Sequence, residues 1–139
     1  MTDAPGFGRI LVAYDGTPGA QLALERAADL AVALSAEIGV VSVTQERLGE
    51  RADDPWSTMS AHASQLHQAV AWLEERGLSP MTHEPTGDTG PMIVRTAEDL
   101  GYGTIVLGSR GLDPVRRAIL GSVSQYVATH AAATVIIAR

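Results

Sequence analysis

Short β-branched runs alternate along this chain with longer stretches of helical spacing, and this alternation limits the possible folds more than any other feature of the sequence. Strands separated by helices pair in parallel through βαβ crossovers, so the pattern predicts helices wrapped on both faces of a mostly parallel sheet. Arg9-Ile10-Leu11-Val12-Ala13-Tyr14 reads as a buried strand that stops at Asp15-Gly16-Thr17-Pro18. There Thr17 can cap a helix, and Pro18 falls in a first turn that does not need its missing N–H. The helix shows a small apolar face of Ala20, Leu24, Ala27, Ala28 and Ala31, suited to close approach to a sheet, and should end near Ser35.

Ile38 to Val43 predicts a second strand, apolar enough to be covered on both faces and therefore central. Gln45 to Ser57 is polar and reads as the longest loop. A second helix follows, with Met59, Ala63, Leu66, Val70 and Leu73 as its apolar stripe and Gly77 closing it. Pro80 to Pro85 suits an edge strand, because proline cannot donate to a ladder. Thr89-Gly90-Pro91 opens a third helix that turns Ile93, Ala97 and Leu100 inward and stops at Gly101. Thr104 to Leu107 is the next strand, Val123, Val127 and Ala131 line a fourth helix, and Thr134 to Ala138 is the last strand. The expected fold is α/β: an open, mostly parallel five-stranded sheet, doubly wound and Rossmann-like, in one domain over residues 1–139.

The strand ending at Leu107 runs into Gly108-Ser109-Arg110-Gly111, and nine residues later comes Gly121-Ser122. Glycines at the mouth of a buried strand let backbone N–H groups approach an anion, and a helix beginning near Gly121-Ser122 would add its positive end. The chain contains no lysine, which excludes the phosphate loop that ends in Gly-Lys-Ser/Thr. Any grip must come from backbone, hydroxyls and Arg110. In a doubly wound sheet ligands sit beyond the carboxyl ends of the strands, where Asp15 and Gly108 both fall. Each of these residues also has a plainer reading. Gly108 and Gly111 can be turn glycines, Ser122 an N-cap, Asp15 a brace for the first βα turn, and Arg110 a solvated surface side chain.

Composition narrows the chemistry further. Zero cysteines removes disulfides, thiolate catalysis and cysteine zinc sites. His62, His67, His83 and His130 lack ligand spacing, and no Gly-x-Ser-x-Gly elbow is present. A net charge of −6 disfavours nonspecific nucleic-acid binding, and no apolar run is long enough for a membrane helix. The amino terminus lacks the basic-then-apolar order of a secretion signal, so the expected location is cytoplasmic.

Ile10 to Thr17, together with the spacing of Gly108, Gly111, Gly121 and Ser122, resembles the universal stress protein family over nearly the whole chain. In the nucleotide-binding branch of that family this glycine pattern marks ATP binding. The resemblance implies that Asp15 approaches the adenosine portion and that Val43 offers backbone groups to the adenine edge. It implies that Ala13 and Leu107 line the pocket, while Gly108, Arg110, Gly111, Gly121, Ser122, Val123 and Ser124 surround the phosphates. It further implies ATP, alone or with Mg²⁺, as the cofactor, and a homodimer joined through Thr134 to Ala138. The chain departs from the family at Gly103, where an acidic residue is common, at Thr134, where proline is common, and at Ala20, where serine is common.

The expected function is adenine-nucleotide binding with a regulatory, stress-response output and at most slow ATP hydrolysis. No general base, lysine or acidic metal cluster stands ready for fast phosphoryl transfer, so no catalytic residue is assigned. One alternative is a dimerising interaction module whose pocket holds AMP, cyclic AMP or nothing. Another, an adenylating enzyme, lacks its pyrophosphate loop, since Asp15-Gly16-Thr17-Pro18-Gly19-Ala20 stands in that place.

Overall fold

The computed structural model describes residues 6–45, 55–109 and 120–139, and for 55–62 the backbone only. Arg110 and Gly111 therefore lie outside the described residues, as does most of the long loop expected before the second helix. The elements are β1 (Arg9–Ala13), α1 (Pro18–Leu34), β2 (Glu37–Val41), α2 (Pro55–Glu74), β3 (Met81–His83), α3 (Thr89–Leu100), β4 (Thr104–Gly108), α4 (Ser122–His130) and β5 (Thr134–Ala138). All five strands are parallel, in the order β3-β2-β1-β4-β5. The chain winds outward from β1 to β3, then crosses back to place β4 on the other side of β1. Strand order thus reverses between β1 and β4, which is the expected doubly wound α/β topology. No helix among the described residues is long and apolar enough to cross a membrane.

Helices α1 and α2 cover one face of the sheet. The expected face of α1 (Ala20, Leu24, Ala27, Ala28, Ala31) is buried against Ile10, Val12, Ile38, Val40 and Val106. Alanines there keep the helix close. On α2 the seam is Leu66, Ala69 and Leu73, whereas Ala63 is exposed. The other face packs α3 and α4 on Leu11, Val41, Ile105 and Leu107. Because β1 and β4 are covered from both sides, Ile10, Leu11, Val12, Ile105 and Val106 are all fully buried.

Glycines mark where elements approach more closely than a side chain allows. In β2, a Cβ on Gly39 would sit 2.1 Å from the phenol oxygen of Tyr102, so the missing side chain of a central strand is replaced by a buried tyrosine from the α3–β4 turn. At the foot of β4, a Cβ on Gly103 would lie 2.7 Å from Gly6 Cα, and the hydroxyl of Thr104 donates to the Gly6 carbonyl. Glycine at 103 therefore has a cause in packing: the chain entering β1 crosses there.

Helix ends follow the local sequence. Thr17 caps α1, accepting from Ala20 N at 3.2 Å, with Pro18 at the first helical position. Gly101 closes α3 with a φ of 75°. Leu100, expected to face the core, is 41 % exposed. The last turn of α3 overhangs the amino rim of the sheet, and Tyr102 takes the core position instead.

The β3 edge is fastened by a polar cluster. His83 Nε2 lies 2.7 Å from Tyr102 Oη, and the Arg9 guanidinium stands 4.7 Å over the Tyr102 ring while its Nε pairs with Glu37 at 2.9 Å. Burial, and then the Arg9 charge, hold the His83 pKa below its ordinary value. The folded state consequently favours the neutral imidazole. This contribution is complete above the unfolded histidine pKa of about 6.5 and is lost as pH falls below it toward the lowered folded value. Thermal unfolding is expected to show a smaller loss of Tm between pH 7 and pH 5 in His83→Gln than in the parent, and identical losses would remove His83 as the cause.

Candidate functional site

The reversal of strand order puts the ends of β1 and β4 side by side, and most of the expected residues collect there. Beyond β1, Tyr14 N bonds to Val41 O at 3.0 Å and the chain turns at Gly16, whose φ is 81°. Asp15 Oδ1 accepts from both Thr17 N at 3.0 Å and Thr17 Oγ1 at 2.6 Å. The aspartate therefore does brace the βα turn. Both bonds fall on one oxygen, so the second is not required for the turn, and the residue is solvent-exposed.

Val43 reaches the same rim because the extended chain of β2 continues past its regular end: Ser42 N bonds to His83 O at 3.0 Å and Thr44 N to Pro85 O at 2.9 Å. Ala13, Val43 and Leu107 all belong to the apolar cluster on the α3/α4 face. Val123, in the first turn of α4, belongs to the same uncharged cluster.

Gly108 ends β4 opposite Ala138 of β5. Its φ is not positive, so a turn does not demand glycine there. Close approach does: a Cβ would come 2.7 Å from the carbonyl carbon and oxygen of Gly19 in the first turn of α1. Pressing α1 onto β4 in this way brings the Asp15 turn next to the end of β4. Gln65 of α2 also reaches this turn, within 2.9 Å of where a Gly16 Cβ would stand. No periodicity argument could have picked it out.

After the undescribed segment the chain returns at Gly121, whose N–H donates to Ser109 O at 2.8 Å. Gly121, extended at φ −68° and ψ 165°, is the N-cap of α4 and offers no side-chain acceptor. Ser122 is the first helical residue rather than the cap, which corrects the plainer reading of it. The first intrahelical bond runs from Gln125 N to Gly121 O at 2.9 Å. Helix geometry leaves the N–H groups of Ser122, Val123 and Ser124 without an acceptor inside the helix, and the first turn has no acidic side chain. Ser122 is exposed; Ser124 is 2 % exposed, and its hydroxyl lies 3.0 Å from Ser109 O and 3.0 Å from Gly121 O.

A different hollow, a cleft of about 420 Å³, opens at the opposite, amino rim beside Ala97, Gly103, Ile105 and Ala131–Ala133. Glu98 is its one charged lining side chain. A carboxylate at this cleft disfavours phosphate there.

A doubly wound α/β protein with an amide-rich carboxyl rim at the switch point is thereby defined. Comparison with known proteins makes this specific: the chain belongs to the universal stress protein family, whose model matches residues 6–139. Universal stress protein YxiE of Bacillus subtilis is 27% identical over 147 residues, covering 96% of this chain and 99% of that protein. A universal stress protein structure from Archaeoglobus fulgidus matches with a TM-score of 0.79 at 26% identity, over 94% of this chain and 98% of that one. The fold is shared with a universal stress protein in complex with cAMP (TM-score 0.73, 21% identity, 96% and 98% covered). It is shared also with a universal stress protein from Archaeoglobus fulgidus in complex with dAMP (TM-score 0.72, 24% identity, 96% and 99% covered).

Proposed function

We propose that this protein binds an adenine nucleotide, ATP, at the carboxyl rim and that its role is regulatory, in a cytoplasmic stress response. The observation that carries this reading is the start of α4: three first-turn amides with no intrahelical acceptor, no acid beside them, and an apolar floor on the same face of the sheet. In the reading, Ala13, Val43 and Leu107 contact the adenosine portion and Asp15 accepts from ribose hydroxyls with the oxygen the turn does not use. Gly108, Arg110, Gly111, Gly121, Ser122, Val123 and Ser124 surround the phosphates, Ser124 through its backbone N–H because its hydroxyl is buried, with or without Mg²⁺. The cAMP and dAMP bound by two proteins of this fold support the adenine class.

Glycines, hydroxyls and an arginine supply no group that takes a proton from water at neutral pH, so hydrolysis at this rim is at most slow. Isothermal titration with ATP and Mg²⁺ is expected to give saturable 1:1 binding. Absence of heat, together with no displacement of a fluorescent ATP analogue, removes the reading.

The second reading is a dimerising module whose pocket takes AMP, cyclic AMP or nothing, and β5 favours it. Val135, Ile136 and Ile137 are only partly buried on an outer strand that carries no charge from Thr134 to Ala138. A homodimer through this strand belongs to both readings. Light scattering across a concentration series is expected to give twice the chain mass; a monomer at every concentration contradicts the pairing.

A further inference from the structure

We infer that Ser124 is a positioning residue: its buried hydroxyl latches the start of α4 to the end of β4 and so presets the amides that meet the phosphates, without touching them itself. The inference rests on the nucleotide reading of the site, but its geometric half stands apart from it. Three bonds make the latch. Ser109 O accepts from Gly121 N at 2.8 Å, and Ser124 Oγ lies 3.0 Å from both Ser109 O and Gly121 O. A serine carries one hydroxyl proton, which these two carbonyls share. At 2 % exposure the hydroxyl is out of reach of a ligand at the rim, whereas the neighbouring Ser122 is exposed.

The arrangement answers a problem set by the sequence. Gly121 supplies an N-cap with no side-chain acceptor and high backbone freedom, so nothing local fixes the helix start. The hydroxyl one turn into the helix does so from inside, by holding the capping residue's carbonyl and the strand-end carbonyl together. Ser109 N in turn bonds to Ala138 O at 3.1 Å, which ties the latch to the β4–β5 ladder. The first-turn amides are therefore held in place before any anion arrives, and the ordering cost of binding falls.

The test compares Ser124→Ala with Ser124→Thr and Ser122→Ala. Amide hydrogen exchange in the ligand-free protein reads the latch; titration with ATP and with adenosine reads the site. In Ser124→Ala, exchange at Gly121 is expected to quicken about fivefold and ATP to bind about fivefold more weakly, the effect of one lost hydrogen bond, while adenosine binding is unchanged. Ser124→Thr keeps the hydroxyl and restores both. Ser122→Ala leaves exchange at Gly121 at the parent rate. Weaker ATP binding with unaltered exchange makes Ser124 a direct ligand and overturns the inference, as does quickened exchange with full ATP affinity. If the parent chain binds no ATP, the nucleotide reading falls, and exchange at Gly121 alone decides whether the latch exists.

Discussion

Ser122→Asp is expected to weaken ATP binding about a hundredfold while leaving the protein as stable as the parent or slightly more so. The two effects have opposite signs because they come from the same partial charge. Amides at the start of α4 attract any anion, and a carboxylate on the first helical residue occupies that field permanently, adding about 0.3–1 kcal/mol to the helix. A phosphate brought to the same amides then meets a like charge a few ångströms away. At the effective dielectric of a protein surface that repulsion is about 3 kcal/mol, or roughly a hundredfold in affinity. Ser122→Ala removes one hydroxyl and should cost only a few-fold. Titration with ATP alongside thermal unfolding checks both halves. Full ATP affinity in Ser122→Asp would place the phosphates elsewhere.

The largest expected loss of stability lies within β2, on the same face of the sheet. Gly39→Ala drives a methyl to within 2.1 Å of Tyr102 Oη and 2.6 Å of Cζ, in the middle of β2 where the backbone is bonded on both sides. Neither the strand nor the 4 % exposed ring has space to yield, so the cost is at the upper end of overpacking, about 3 kcal/mol. For a chain of this size the melting temperature should drop by about 10 °C. Tyr102→Ala is itself destabilising because it empties the same space, yet combined with Gly39→Ala it should cost less than the sum of the two. Strict additivity in that double-mutant cycle would show that the contact is not what makes glycine necessary.

Much of the fold can be read from the sequence because the signals are local and repeated. The α1 face, the Thr17 cap, the Gly101 stop and the proline-flanked β3 edge each follow from spacing or from a backbone requirement within a few residues. Features that depend on distant partners could not be read this way. Leu100 fits the α3 stripe but lies past the foot of the sheet, and Ala63 fits the α2 stripe while Ala69 takes the buried place. The site divides along the same line. Its glycine spacing marks the region, but the reason for Gly108 is the backbone of Gly19, far off in sequence. Likewise the burial of Ser124 against Ser109 O cannot be told from the exposure of Ser122 by residue type alone.

The two margins of the sheet differ in what they permit. β3 is only three residues long, and Pro80 just before it has no N–H to offer, which leaves little for another chain to join. Of the two margins, β5 is therefore the better suited to strand addition. A two-fold pairing there consumes the joining edge of both copies at once, so growth halts at a closed pair and a filament has no free end from which to extend.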